Sequence, residues 1–189
     1  MKIIAACFLT FSTLSTLPAI AAEIMVPMHR VTEKGVEEKI GQITVIESAH
    51  GVQFKPDLRN LPPGVHGFHI HQNPSCEPKE KDGKMAAAEA AGGHYDPDKN
   101  EKHGGPWGDG HKGDLPALYV SSGGITTQPV MASQLTLAEL SGRAIIIHAS
   151  GDNYSDYPEP LGGGGERIAC GVITDTAEKE APEDTTSKP

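Results

Sequence analysis

Residues 92–115 read GGHYDPDKNEKHGGPWGDGHKGDL, and they decide the fold by what they cannot be. The segment is Gly-rich and has almost no apolar residue, so it cannot supply a core. The whole stretch 72–114 offers no convincing strand or helix, apart from one helical turn over 86–91 that glycines end at once. A loop that long inside a small domain is uncommon unless it is functional. The core must therefore come from the flanking sequence. The loop itself concentrates His94, His103, His111 and Asp114, a sufficient set for a closed tetrahedral zinc site. An ordinary polar loop also holds Gly, Asp and Lys, but not three imidazoles with a carboxylate.

Outward from this loop the chain alternates in short apolar runs. Strands are expected over 24–28, 38–47, 52–58, 65–71, 115–120, 125–131, 143–148 and 168–173, each with a two-residue rhythm or a brief apolar run. Pro56 marks an edge or a strand end. Residues 135–140 suit one short helical turn, and 151–166 form a second long loop. Eight strands, two long loops and almost no helix predict an all-β antiparallel Greek-key barrel or sandwich.

The chain has 189 residues and a formal net charge of −9. Residues 1–22 combine Lys2, an apolar run and the small-residue signature at 19–21, which reads as a secretory signal peptide. Cys7 sits too early in that run to be an acylated lipoprotein cysteine. Losing Lys2 with the leader would take the charge from −9 to −10, a balance that argues against nucleic acid and anionic membrane as partners. Residues 23–174 then form one domain, and the charged tail 175–189 lacks large apolar residues and reads as disordered. Cys76 and Cys170 remain, an even pair that in an exported chain reads as one disulfide. The alternative is two buried free thiols.

Three further pieces carry chemistry. In His69-Ile70-His71 the imidazoles project from one strand face while Phe68 and Ile70 point to the other. His66 shares the Phe68 face and reads as structural. His148 ends an apolar strand, as a polar cap or a ligand. Gly162–Gly165 lead into Arg167, either a surface cation or a charge held near the loop after His71. His69, His71 and His148 with one more imidazole would make a set suited to copper. His103, His111 and Asp114 with one more would make a zinc set. Only His94 is left, so it serves one site or bridges both.

GFHIH, GGHYDP, GDGHKGDLPALYV and GGGGERIACGVI, in that order, closely resemble the copper–zinc superoxide dismutases, in particular their bacterial exported branch. The resemblance covers essentially residues 24–173. It implies copper on His69, His71, His94 and His148, and zinc on His94, His103, His111 and Asp114, one ion of each per subunit, with His94 the bridge. It further implies Arg167 at the copper mouth, His94 and Arg167 as the catalytic pair, a Cys76–Cys170 disulfide, and Asp152 linking a copper histidine to a zinc histidine. The implied reaction is superoxide dismutation, in antioxidant defence outside the cytoplasm, periplasmic or extracellular. A non-catalytic copper-binding or metal-buffering barrel and a zinc hydrolase around His69, His71 and His148 are the rival readings.

Superoxide is an anion, and the acidic chain repels it globally. Within a Debye length of about 8 Å a local field can override net charge. Lys79, Lys81 and Lys84 could assist Arg167, or belong to a solvated charged loop. Trp107 reads as packing against the barrel or as a homodimer contact. Asn153-Tyr154-Ser155 matches a glycosylation sequon, a short and common pattern.

Overall fold

A computed structural model describes residues 22–174; the expected leader up to residue 21 and the acidic tail lie outside the described residues. The strands are β1 (Glu23–Thr32), β2 (Gly35–Ser48), β3 (Gly51–Leu58), β4 (Gly64–His66), β5 (Phe68–His71), β6 (Lys79–Lys81), β7 (Lys84–Ala86), β8 (Leu118–Val120), β9 (Val130–Ala132), β10 (Arg143–His148) and β11 (Arg167–Ile173), with one α-helical turn, α1 (Leu137–Leu140), and short 3-10 turns at Glu89–Ala91, within the expected helical turn over 86–91, and at Pro160–Gly163. All pairings are antiparallel. Seven strands form a curled sheet in the order β5-β10-β11-β1-β2-β3-β9, while β4 pairs with β8. β4 and β5 are one expected strand, interrupted at Gly67. Taken as one, they complete the eight strands of the expected barrel.

Three expectations are corrected. Residues 72–114 do contain strand, the hairpin β6–β7. Its residues are almost all exposed, so it has no apolar face for a periodicity to betray. Strand after Leu115 begins only at Leu118, beyond Pro116. Residues 125–131 narrow to β9, which begins just after Pro129, and Thr126 joins Leu58 through an isolated bridge. Proline has no N–H to give a ladder, which accounts for both late starts.

The core follows from alternation. In β3 the side chains of Val52, Phe54, Pro56 and Leu58 are buried and those between them are not. Phe54 meets Phe68 edge-to-face at 5.6 Å between ring centroids. β10 is buried on both faces: Ile145 and Ile147 enter the main core, while Ala144 and Ile146 pack with Val31, Ala88, Ala91 and Cys170. That is why its apolar run is unbroken. The second cluster includes the disulfide Cys76–Cys170, with a sequence separation of 94. It ties the loop after β5 to β11.

Candidate metal centre

β5 supplies the first two imidazoles. Phe68 and Ile70 are fully buried in the core, so strand alternation turns His69 and His71 to the opposite face, where both are also buried. The β5–β10 register sets His69 opposite Ile146 and His71 opposite Ala144. His148, at the end of β10, reaches the same place, its ring centroid 4.9 Å from that of His69 and 5.6 Å from that of His71. His94 is brought in by an isolated bridge to His71, with its ring centroid 4.0 Å from that of His69.

Hydrogen bonds fix which nitrogen of each ring is free. His69 Nε2 donates to Asp152 Oδ2 at 2.7 Å, His71 Nδ1 to the Gly92 carbonyl at 2.9 Å, and His148 Nδ1 to the Gly165 carbonyl at 3.2 Å. His103 Nε2 donates to Asp152 Oδ1 at 2.9 Å. The opposite nitrogens of the first three rings, His69 Nδ1, His71 Nε2 and His148 Nε2, are buried without a partner, whereas His103 Nδ1 lies 3.1 Å from an Asp114 oxygen. A buried nitrogen lone pair left bare costs on the order of 1–3 kcal/mol. Three of them in one place require a common cause, and a cation supplies it.

A second convergence adjoins the first. Asp114 Oδ1 lies 2.8 Å from His94 Nδ1, 3.1 Å from His103 Nδ1 and 3.3 Å from His111 Nδ1. Donor atoms of His69, His71, His94 and His148 lie within 4.8 Å of one another, as do those of His69, His94, His103 and Asp114. His111 stands outside that tighter group, joined to it through Asp114. Two residues, His69 and His94, are thus common to both groups, where the sequence pointed to His94 alone.

Electrostatics separate the rings. Burial first, then the neighbouring imidazoles, holds His71 and His148 well below the usual imidazole value. Burial and His69 lower His94 to about 3, against the pull of Asp114. These rings are neutral lone-pair donors at neutral pH. His103 runs the other way: burial lowers it, but Asp114 and Asp152 together hold it up at about 9. A cation among those carboxylates can be a proton or a metal that displaces it.

Arg167 is also where the sequence led. It lines the cavity onto which His71, His94 and His148 open. Its Nη1 donates to the Ala88 carbonyl at 2.7 Å and its Nη2 to the Gly92 carbonyl at 2.8 Å. Gly92 O thereby holds both Arg167 and His71. His66 is structural, its two ring nitrogens each 2.8 Å from a carbonyl oxygen, of His148 and of Pro62. Lys81 lines the cavity, whereas Lys79 and Lys84 do not. Trp107 is 72% exposed, which removes the reading of it as barrel packing.

Two residues were missed. Glu89 Oε2 lies 3.3 Å from Arg167 Nη2, and Asp156 Oδ2 accepts from the backbone N–H of His103 at 2.8 Å. Neither stands in a recognisable spacing; Glu89 is one acid within an alanine run.

Fold and site define a β-barrel metalloprotein with two adjoining cation sites. The family model described as copper/zinc superoxide dismutase matches residues 39–173. A superoxide dismutase [Cu-Zn] of Photobacterium leiognathi is 56% identical over 156 residues, 82% of this chain and 88% of that protein. The Cu/Zn superoxide dismutase structure from Brucella abortus superposes with a TM-score of 0.79 at 50% identity, covering 80% of this chain and 99% of that one. The solution structure of the monomeric copper, zinc superoxide dismutase from Salmonella enterica gives 0.74 at 55% identity, covering 81% and 100%. The chain belongs to the copper/zinc superoxide dismutase family, and it is a copper- and zinc-dependent oxidoreductase.

Proposed function

We propose that His69, His71, His94 and His148 hold copper and that His94, His103, His111 and Asp114 hold zinc, in an enzyme converting two superoxide ions and two protons to dioxygen and hydrogen peroxide. The observation that carries this is the set of buried imidazole nitrogens without partners beside three Nδ1 atoms gathered on Asp114. An all-imidazole set suits copper, and imidazoles with a carboxylate suit zinc. His94 rather than His69 would serve both sets. A bridging imidazole needs both nitrogens, and His69 Nε2 is already committed to Asp152. His94 directs Nδ1 to Asp114 and leaves Nε2 for the other set.

Bound copper supplies the one-electron change and bound zinc a fixed charge without redox chemistry. The chain does the rest. Arg167 attracts and orients the anion. The cavity is about 950 Å³, far too wide to select a diatomic ion by shape, so charge must do so. Carbonyls of Ala88 and Gly92 hold the guanidinium at the mouth, and Glu89 offsets part of its charge. His94 Nε2, whenever it is not holding a cation, is the atom at which the chain can keep a proton for the departing peroxide. Asp152 holds His69 and His103 in the tautomers that leave the ligating nitrogens bare.

Residues 1–22 act as an export leader, 23–174 as the enzyme domain and 175–189 as an acidic tail, with the protein working in the periplasm. The Cys76–Cys170 disulfide supports an oxidising compartment. A homodimer is supported by exposed Trp107 and by Val65 and Tyr119, cross-strand partners that are 53% and 59% exposed. Sedimentation across a concentration range tests it, and a constant monomer mass rejects it. Among the described residues no helix is long and apolar enough to cross a membrane.

A superoxide-decay assay on protein loaded with both metals, with copper EPR on the same sample, tests the main reading. The expected result is a four-nitrogen tetragonal copper signal and decay far above buffer. A four-nitrogen signal with decay at the buffer rate would assign the metal-buffering role instead.

A further inference from the structure

Arg143 opens β10, outside the lining of the cavity, and it grips three separate segments. Its guanidinium carbon lies 3.7 Å from the centroid of the Tyr95 ring. Its Nη1 donates to the Gln72 carbonyl at 3.0 Å, and its Nε to the Glu139 carbonyl at 2.8 Å. The residues it touches are the chain neighbours of site imidazoles: Gln72 follows His71, and Tyr95 follows His94.

Those two neighbours are already coupled. Gln72 N donates to the Gly93 carbonyl at 3.0 Å, and Gln72 Nε2 to the His94 carbonyl at 3.3 Å. Tyr95 N donates to the Ile70 carbonyl at 2.8 Å, and the Tyr95 carbonyl accepts from Gly113 N at 2.8 Å. Glu139 extends the cluster to a third ligand, because its carboxylate pairs with Lys112, the neighbour of His111. Arg143 therefore sits where the backbones following His71 and His94 and the end of α1 meet. A guanidinium is suited to this, since its planar fork can stack on a ring while donating in fixed directions. An ammonium is a point charge without that planar fork, so it fixes neither contact in direction.

We propose that Arg143 is a positioning residue for the paired imidazoles His71 and His94. By holding the Gln72 carbonyl and the Tyr95 ring to one rigid group, it sets the separation and tilt of the two rings that point into the site. The inference rests on the ligand assignment above. It differs from an ordinary packing role because it requires the geometry at the metals to change when Arg143 changes.

The test uses the full chain, as wild type, Arg143→Lys, Arg143→Met and Tyr95→Leu, each loaded with copper and zinc, and again with cobalt(II) in place of zinc. Copper EPR and the cobalt absorption bands are read alongside melting of the metal-free proteins. Arg143→Lys keeps the charge and most of the stem, so it carries the test if Arg143→Met does not fold. The expected result is shifted copper and cobalt spectra in every variant and zinc affinity weakened about tenfold, the lower end of what losing a ligand-orienting contact costs. Combining Arg143→Met with Tyr95→Leu should add little, since the two act through one contact. Spectra identical to wild type, whatever the melting temperatures, would overturn the inference. A wild-type protein lacking the four-nitrogen signal would instead overturn the ligand assignment, and this inference with it.

Discussion

Asp152 holds two imidazoles at once, one from each proposed set, and also accepts from Tyr154 N at 2.7 Å. Asp152→Asn leaves one acceptor where two are needed, so one imidazole loses its orientation. We expect metal affinity to fall about 10–100-fold, read by competition with a chelator; affinity within twofold of wild type would exclude the role. Gly162 guards the same contact. Its backbone has φ +76, and a Cβ there would crowd Asp152 Oδ1 and lie 2.6 Å from His103 Nε2. Gly162→Ala should therefore reproduce the Asp152→Asn loss, and normal zinc retention in this variant would show that the loop can give way. The four-glycine run was legible as a close approach of backbone to something. What it approaches was not, because Asp152 is ten residues back along a folded loop.

Glu139 does the corresponding work for an element. It closes a capping box with Thr136 at the start of α1, and it pairs with Lys112 of the long loop. Burial alone would raise its carboxyl, but Lys112 and Thr136 lower it below 4.5. A depressed carboxyl contributes stability that is fully present above the unfolded value and fades as pH falls through the folded one. Replacing Glu139 with Gln should therefore cost on the order of 1 kcal/mol at pH 7. The gap from wild type should be full above pH 4.5 and close at lower pH, as followed by denaturant melts. A gap independent of pH would mean that only the cap geometry matters. The helical turn itself was legible from Leu137 and Leu140, and strand β10 from its apolar run. The β6–β7 hairpin was not, because its side chains face solvent on both sides.

For the whole molecule, the disulfide and the charge balance decide most. Cys76–Cys170 closes a separation of 94 residues, which in the chain-entropy model is worth roughly 4–5 kcal/mol. A Cys76→Ser/Cys170→Ser protein should lose about that much in equilibrium unfolding. It should also lose activity, because the disulfide loop carries the Ala88 carbonyl that holds Arg167. Full activity in the folded variant would separate the two effects. The chain carries a net charge of −9, so the approach of an anion depends on cations at the mouth. Lys81→Ser should lower kcat/KM and flatten its dependence on salt. Lys79→Ser and Lys84→Ser, whose side chains do not line the cavity, should change little. Equal effects from all three would mean that the field is diffuse.

The sequence alone determined the strand pattern, the types of the candidate ligating residues and their order along the chain. Strand alternation acts over two residues, so His69 and His71 had to share a face once Phe68 and Ile70 were buried. Only the tertiary structure decided which nitrogen of each ring stays bare, which acid offsets Arg167, and what stands behind His71 and His94. These depend on contacts such as His69 with Asp152, 83 residues apart, and Arg143 with Gln72, 71 apart. No local periodicity records a pairing over that distance; the strand register that brings β5, β10 and β11 side by side creates it.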